Sequence, residues 1–244
     1  MNRSAARLPL LALVLLLPAL CWAAVGKVAL LEGKATRTPA GGAAVAVAVG
    51  TELEVGDLLT VGKGNLKLQL NDDSVIMLGD GSTLTLDEAS FGGQERSFLA
   101  TLGIGKLWAK VSKAVGKSKF EVKTDKAVAG VRGTIFRIDA KTLLAAANGK
   151  PRNVTVVAVT KGVVDVTAKV KKAAQADAPA LARDGGRKQI APPFKEISKD
   201  QWEDKFVQLQ ANMKVTVGDD LWQEATLAPT DKPDLFDAFV GKNQ

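Results

Sequence analysis

The chain has 244 residues, a net charge of +7, no histidine, no tyrosine and one cysteine, Cys21. Without histidine it lacks the commonest general base and metal ligand, and the Ser-His-Asp and Cys-His arrangements go with it. Lysines such as Lys106, Lys110, Lys113, Lys117 and Lys119 are spread along the chain, a pattern of solvated strand faces. Nucleic acid is not expected as a partner, because no basic patch is interleaved with aromatics.

At the N-terminus, Arg3 and Arg7 precede an almost wholly apolar run from Leu8 to Leu20, followed by Cys21, Trp22 and Ala23. A basic start, a short apolar stretch and a small closing residue describe a secretory signal peptide over residues 1–23. The run falls short of the roughly 20 residues of a membrane span. Leu20 stands where a lipid-attachment motif needs a small residue, so Cys21 is not read as lipidated. Cleavage after Ala23 or Ala24 predicts a periplasmic or secreted protein without any thiol or disulfide. Membrane association is expected only if the segment stays uncleaved.

Strand signals dominate from residue 25 to about 172. Lys27–Gly33 reads as a short strand, and Pro39–Val49 as a loop with a weak strand. Leu66, Leu68 and Leu70 alternate with Lys67 and Gln69, the period of a half-buried strand. Turn residues follow at Asn71-Asp72-Asp73 and again at Gly79-Asp80-Gly81, which predicts successive hairpin-like units. Residues 87–97 read as a polar loop, and Phe98–Val111 as a glycine-bent strand pair. The next stretch, Phe120-Glu-Val-Lys-Thr-Asp-Lys-Ala-Val-Ala-Gly-Val-Arg-Gly-Thr-Ile-Phe136, alternates and then runs apolar. Gly130 and Gly133 flank Arg132 there, where the backbone can bend or approach another strand closely. Lys141–Asn153 reads as an insert. Val154–Val159 and Val163–Val170 are expected to pair as a hairpin around Thr160-Lys161-Gly162.

Residues 171–193 are rich in Ala, Asp, Pro and Gly. Beyond them, Ser198 and Gln201 form a capping-box pattern. Trp202, Phe206, Leu209 and Met213 follow at i, i+4, i+7 and i+11, which predicts an amphipathic helix near residues 198–213. A last apolar cluster contains Leu235, Phe236, Phe239 and Val240, with Pro233 suited to the first turn of a helix.

The segment from Phe120 to Phe136 matches an ordered "F-x-V-x-T … A-V-A-x-V-R-G-T-x-F" pattern. In it the chain resembles the periplasmic FecR domain of bacterial envelope proteins, with a span of about residues 25–190. The resemblance implies an all-β fold: a single sandwich or solenoid-like FecR domain, here with a C-terminal amphipathic helix. The domains expected are 1–23 signal peptide, 25–190 FecR-like β domain and 196–244 helical extension. Within the resemblance, Leu181–Ile190 would add a closing strand. The hallmark residues Arg132, Gly133, Thr134 and Phe136 are read as structural, with the Arg132 guanidinium folded over a sheet edge and the segment forming a central strand pair. The best-known members carry a cytoplasmic anti-sigma segment before a membrane span. About seven residues precede the apolar run here, so that sigma-regulating role is not carried over.

No residue set points to catalysis, a metal or a cofactor. Asp72, Asp73 and Asp80 fit ordinary turns, and their spacing fits no EF-hand loop. Asp184-Gly185-Gly186-Arg187 lacks the pattern of a phosphate-binding loop. The expected function is a non-enzymatic interaction, signalling or scaffold module of the cell envelope, with an envelope protein as partner. Its candidate contacts are Trp202, Phe206, Leu209, Met213, Phe236 and Phe239. The alternative is a cell-wall glycan- or ligand-binding protein using Trp108, Trp202 or Trp222, which requires exposed tryptophans together in one groove.

Overall fold

A computed structural model describes residues 24–92, 95–113, 118–144, 151–171, 202–227 and 234–244. The signal segment, the Leu181–Ile190 stretch, the 184–187 turn, Ser198, Gln201 and Pro233 lie outside the described residues. Among the described residues the chain is all-β with one short helix.

Among the described residues fifteen strands join one hydrogen-bonded sheet. Three are long: β1 (Gly26–Thr38), β4 (Leu58–Leu70) and β7 (Arg96–Lys110). Each is bent at glycine. Gly33 of β1 and Gly64 of β4 are direct partners, both with positive φ, and a Cβ on either would collide with the opposite backbone. Gly105 bends β7 against Ser82 in the same way. Such positions admit no side chain, so glycine sets the bend.

The bends fold the sheet into two layers. The first half of β7 pairs with β6 (Thr83–Ser90) and, in parallel, with β8 (Ser118–Lys123). Next come β9 (Val128–Val131), β12 (Val163–Lys171) and β13 (Trp202–Gln210), which make the layer called A. The second half of β7 pairs with β5 (Val75–Leu78) and β10 (Ile135–Leu144). Beyond β10 lie β11 (Pro151–Lys161), β14 (Met213–Val217) and β15 (Trp222–Thr226), which make layer B. Two-residue strands, β2 (Val45–Ala46) and β3 (Glu52–Leu53), edge β1.

Period-2 alternation sends one set of side chains from each strand between the layers. Phe98, Phe120, Val122, Val164 and Val166 of layer A share one buried cluster with Leu68, Ile76, Phe136, Ile138 and Val157 of layer B. The rings of Phe98 and Phe120 stack there with centroids 4.5 Å apart.

Layer changes replace several expected hairpins. The 71–73 turn does join a pair, β4 and β5, with Asp73 at φ 63. Gly79–Ser82, by contrast, carries the chain from layer B to layer A, and β5 and β6 do not pair with each other. Gly162 does the same between β11 and β12, which bond instead to β10 and β14 and to β9 and β13 respectively. The expected insert Lys141–Asn153 is strand at both ends, because β10 continues to Leu144 and β11 starts at Pro151.

Where the sequence predicts a helix near 198–213, the described residues Trp202–Gln210 form a strand. All nine residues of β13 lie in register with β12, from Trp202 opposite Lys171 to Gln210 opposite Val163. Trp202, Asp204, Phe206 and Gln208 face outward, while Leu209 enters the core. Residues 202–226 are therefore part of the sheet and not a helical extension. The helix among the described residues is α1 (Leu235–Asn243), with Asp234 as N-cap and Asp237 closing a capping box. Its first residue is Leu235.

Candidate functional site

The hallmark residues form a layer crossing. β9 ends at Val131 in layer A and β10 starts at Ile135 in layer B, so Arg132-Gly133-Thr134 is a corner and not part of a central strand pair. Gly133 has φ +63, and a Cβ there would stand 2.7 Å from Lys113 Cγ. Thr134, buried, donates its hydroxyl to the Val163 carbonyl at 2.8 Å. This bond ties the β9–β10 corner to the β11–β12 corner, and Gly162 comes so close that a Cβ there would stand 2.8 Å from Thr134 Oγ1. Phe136 fills the core.

Arg132 does not fold over the sheet. It is exposed, and among the described residues it makes no ion pair or side-chain hydrogen bond. Arg96 and Asp72, by contrast, are spent on structure. Arg96 pairs with Asp72 at 2.5 Å and donates to the Ser112 carbonyl, while Asp72 accepts from both the N–H and the hydroxyl of Ser74. Those contacts give Asp72 a turn-locking role.

Arg132 stands at one end of a groove on the outer face of layer A. A hollow of about 280 Å³ is lined by Lys119, Glu121, Gly130, Arg132 and Asp165, among others. It shares Val128 and Thr167 with a larger hollow of about 920 Å³ that reaches Trp202 and Phe206. Register explains the continuity, since Val128, Thr167 and Phe206 are successive cross-strand neighbours on β9, β12 and β13. Phe206 is 65% exposed and Trp202 36%. The Lys171 ammonium sits 5.2 Å from the Trp202 ring centroid.

At the far end of the groove Lys126 lies between Asp125 at 2.9 Å and Asp219 at 2.7 Å. Partial burial lowers the Lys126 pKa, but the hydrogen bonds to Asp219 and Asp125 outweigh it and the net shift is upward. Asp125 is held below the usual carboxylate range by its hydrogen bond from Asn153 and then by Lys126. This cluster joins the β8–β9 turn to the β14–β15 turn.

Part of the outer face of layer B is covered by α1. Phe236, Phe239 and Val240 of α1 pack on Met77 and Trp108, which alternate outward from Ile76, Leu78, Leu107 and Ala109. Lys106 pairs with Asp234, and Arg137 pairs with both Asp237 and Asp234 while lying 5.5 Å from the Phe236 ring centroid. Partial burial would raise the Asp234 pKa, yet the Lys106 hydrogen bond, the Asp237 N–H and the Arg137 charge bring it down to about 2.

The candidate contact residues therefore separate. Trp202 and Phe206 line the groove. Leu209 is in the core and Met213 packs half-buried against it. Phe236 and Phe239 are buried under α1. The tryptophans do not gather: Trp108 is covered by α1, and Trp222 packs on the core with its indole N–H on Glu224. Arg132 is the groove residue that reading the sequence assigned to structure. Its flanking glycines signalled the corner, but the exposure follows only from which way the corner turns.

Residues 56–165 match the family model described as FecR protein. The chain carries a FecR domain. The matched span runs from just before β4 into β12, so the FecR domain contains the hallmark corner and most of the groove. The strands on either side, β1–β3 and β13–β15, complete its two layers. Two crystal structures, at 1.65 Å and 2.50 Å, of a "putative anti-sigma factor" from Parabacteroides distasonis align with part of this chain. They share 17% and 19% identity over 69% of this chain, with TM-scores of 0.42 and 0.43. The chain spans 59% of the length of each. No curated protein matches it.

Proposed function

We propose that this FecR-domain protein is a non-enzymatic interaction module of the bacterial cell envelope, and that it docks a partner protein on the outer face of layer A. The observation that carries this reading is the asymmetry of the sandwich. One outer face carries α1 docked on Met77 and Trp108, while the other holds a groove in which Phe206 is 65% exposed, with Trp202 and an exposed Arg132 also lining it. Exposed aromatics and arginine in a hollow are the residue types that anchor protein interfaces. The N-terminal pattern of basic start, apolar run and small closing residue supports export to the periplasm. The FecR match supports a signalling or regulatory role.

The test is site-specific photocrosslinking in the native envelope. A photoreactive residue at position 206 is expected to give a discrete protein adduct. The same probe at Leu235, 88% exposed on α1, is expected to give none. Absence of an adduct from positions 202, 206 and 132 would reject the docking face. Fractionation of the cells tests the compartment separately.

A further inference from the structure

We infer that the face beneath α1 is a helix-binding seat, that α1 is its displaceable occupant, and that the seat takes in trans a polypeptide helix of the same pattern. That pattern is an acidic first turn with large apolar residues at i, i+3 and i+4. The seat and the groove lie on opposite faces, so this inference and the docking reading above stand or fall separately.

The seat is built into the sheet. Met77 of β5, Trp108 of β7 and Arg137 of β10 are successive cross-strand neighbours, and Lys106 is the direct neighbour of Asp139. Asp139 holds the Arg137 guanidinium at 2.9 Å, so the cation is aimed by its own strand. Leu30, Val75 and Ile135 edge the apolar floor. Gly79 makes room for the helix's first anchor. It has no positive φ, and a Cβ there would stand 2.9 Å from Phe236 Cδ2 and 3.2 Å from Phe236 Cγ, nearer than Lys106 Cβ at 3.3 Å. Side chains already fixed on paired strands need little ordering to receive a ligand.

The occupant shows which ligand chemistry fits. Phe236, Phe239 and Val240 lie at i, i+3 and i+4 and form one buried stripe, the pattern of a helix laid on an apolar surface. Lys106 meets Asp234 and Arg137 meets Asp237, the two acids of the capping box, and Lys67 donates to the Asn243 carbonyl at the other end. The acidic preference is carried by these observed pairs.

α1 is thinly held. It has nine residues, three of them buried, and isolated helices shorter than about 12–15 residues are marginal in water. Burial of three side chains must offset the conformational freedom of the whole segment. Gly241 weakens the helix further. It has no positive φ, and among the described residues a Cβ there would meet nothing within 4 Å, so neither geometry nor packing requires glycine. A preformed seat with a weakly held occupant exchanges it for a helix that binds more strongly.

The probe is a fluorescent peptide of residues 232–244, titrated onto the full chain. The double variant Phe236→Ala with Phe239→Ala, its own helix undocked, is expected to bind the peptide saturably. Wild type should bind at least about tenfold more weakly because α1 competes, and Gly241→Ala, which strengthens the competitor, more weakly still. In the undocked variant, adding Lys106→Gln with Arg137→Gln, adding Gly79→Val, or replacing both peptide acids by Asn should each cost at least about tenfold. If Gly79→Val folds poorly, the other two changes carry the test. No binding to the undocked variant, equal binding of a scrambled peptide, or indifference to losing the acids and the cations overturns the seat. Hydrogen exchange on wild type tests displacement. The α1 amides should exchange far faster than those of β7, and faster again with excess peptide. Amides of α1 as slow as those of β7, or unmoved by the peptide, overturn the inference, and this arm decides it alone if the double variant loses its sheet signal.

Discussion

Gly133→Val is expected to destabilise the fold by about 3 kcal/mol or more, whereas Gly130→Ala, three residues earlier, should cost nothing or stabilise slightly. Gly133 holds φ +63, where an ordinary side chain costs about 1–2 kcal/mol and a β-branched one more. Its new Cβ would also stand 2.7 Å from Lys113 Cγ and 3.3 Å from Lys113 Cα. The first contact can swing away, but the second is backbone, so part of the overlap must be absorbed by shifting the end of β7 or the corner itself. Gly130 has neither constraint, and Ala there removes unfolded-state freedom worth about 0.4–1 kcal/mol. For a domain of this size about 1 kcal/mol moves Tm by about 2–4 °C, so Gly133→Val should lose about 6–12 °C. The assay is urea and thermal unfolding of both variants, with Gly133→Asn as a side chain that tolerates the left-handed region. Equal losses at the two glycines, or a Gly133→Val protein melting within a degree of wild type, would refute the corner geometry.

Thr134→Val should cost about 1–3 kcal/mol, because it strands the Val163 carbonyl in a buried corner, and Thr134→Ser should recover most of that in the same unfolding assay. Replacing both Phe236 and Phe239 by Ala should undock α1 and expose Trp108, read as a red shift and increased quenching of tryptophan fluorescence with the sheet's circular dichroism retained. Helix docking should also weaken in acid. The Asp234 pKa is depressed to about 2, so its contribution is complete above the unfolded value near 4 and is lost as pH falls through about 2. An Asp234→Asn protein whose Trp108 signal follows the same acid profile as wild type would contradict that assignment.

Local pattern carried much of this protein. Alternation at Leu66, Leu68 and Leu70 and at Phe120 and Val122 is a property of the chain alone, since a period of two can bury one set of side chains only in a strand. The absence of histidine likewise needs no coordinates. Glycine marked the places where the chain turns, but not what each turn does. At Gly79–Gly81 and at Gly162 the same residue types serve as layer crossings, because hydrogen-bond partners far along the chain, and not the turn, decide which strand comes next. The 202–213 stripe is the clearest case. Trp202, Phe206, Leu209 and Met213 satisfy a helical period, yet the same stretch also reads with Leu209 inward and Trp202 and Phe206 outward. Nine residues of pairing with β12 chose the strand, because long-range pairing and burial outweigh weak intrinsic propensity. The groove follows from that choice. Only folding brings Gly130, Arg132 and Phe206 to one face, and only the docking of α1 covers Trp108 on the other.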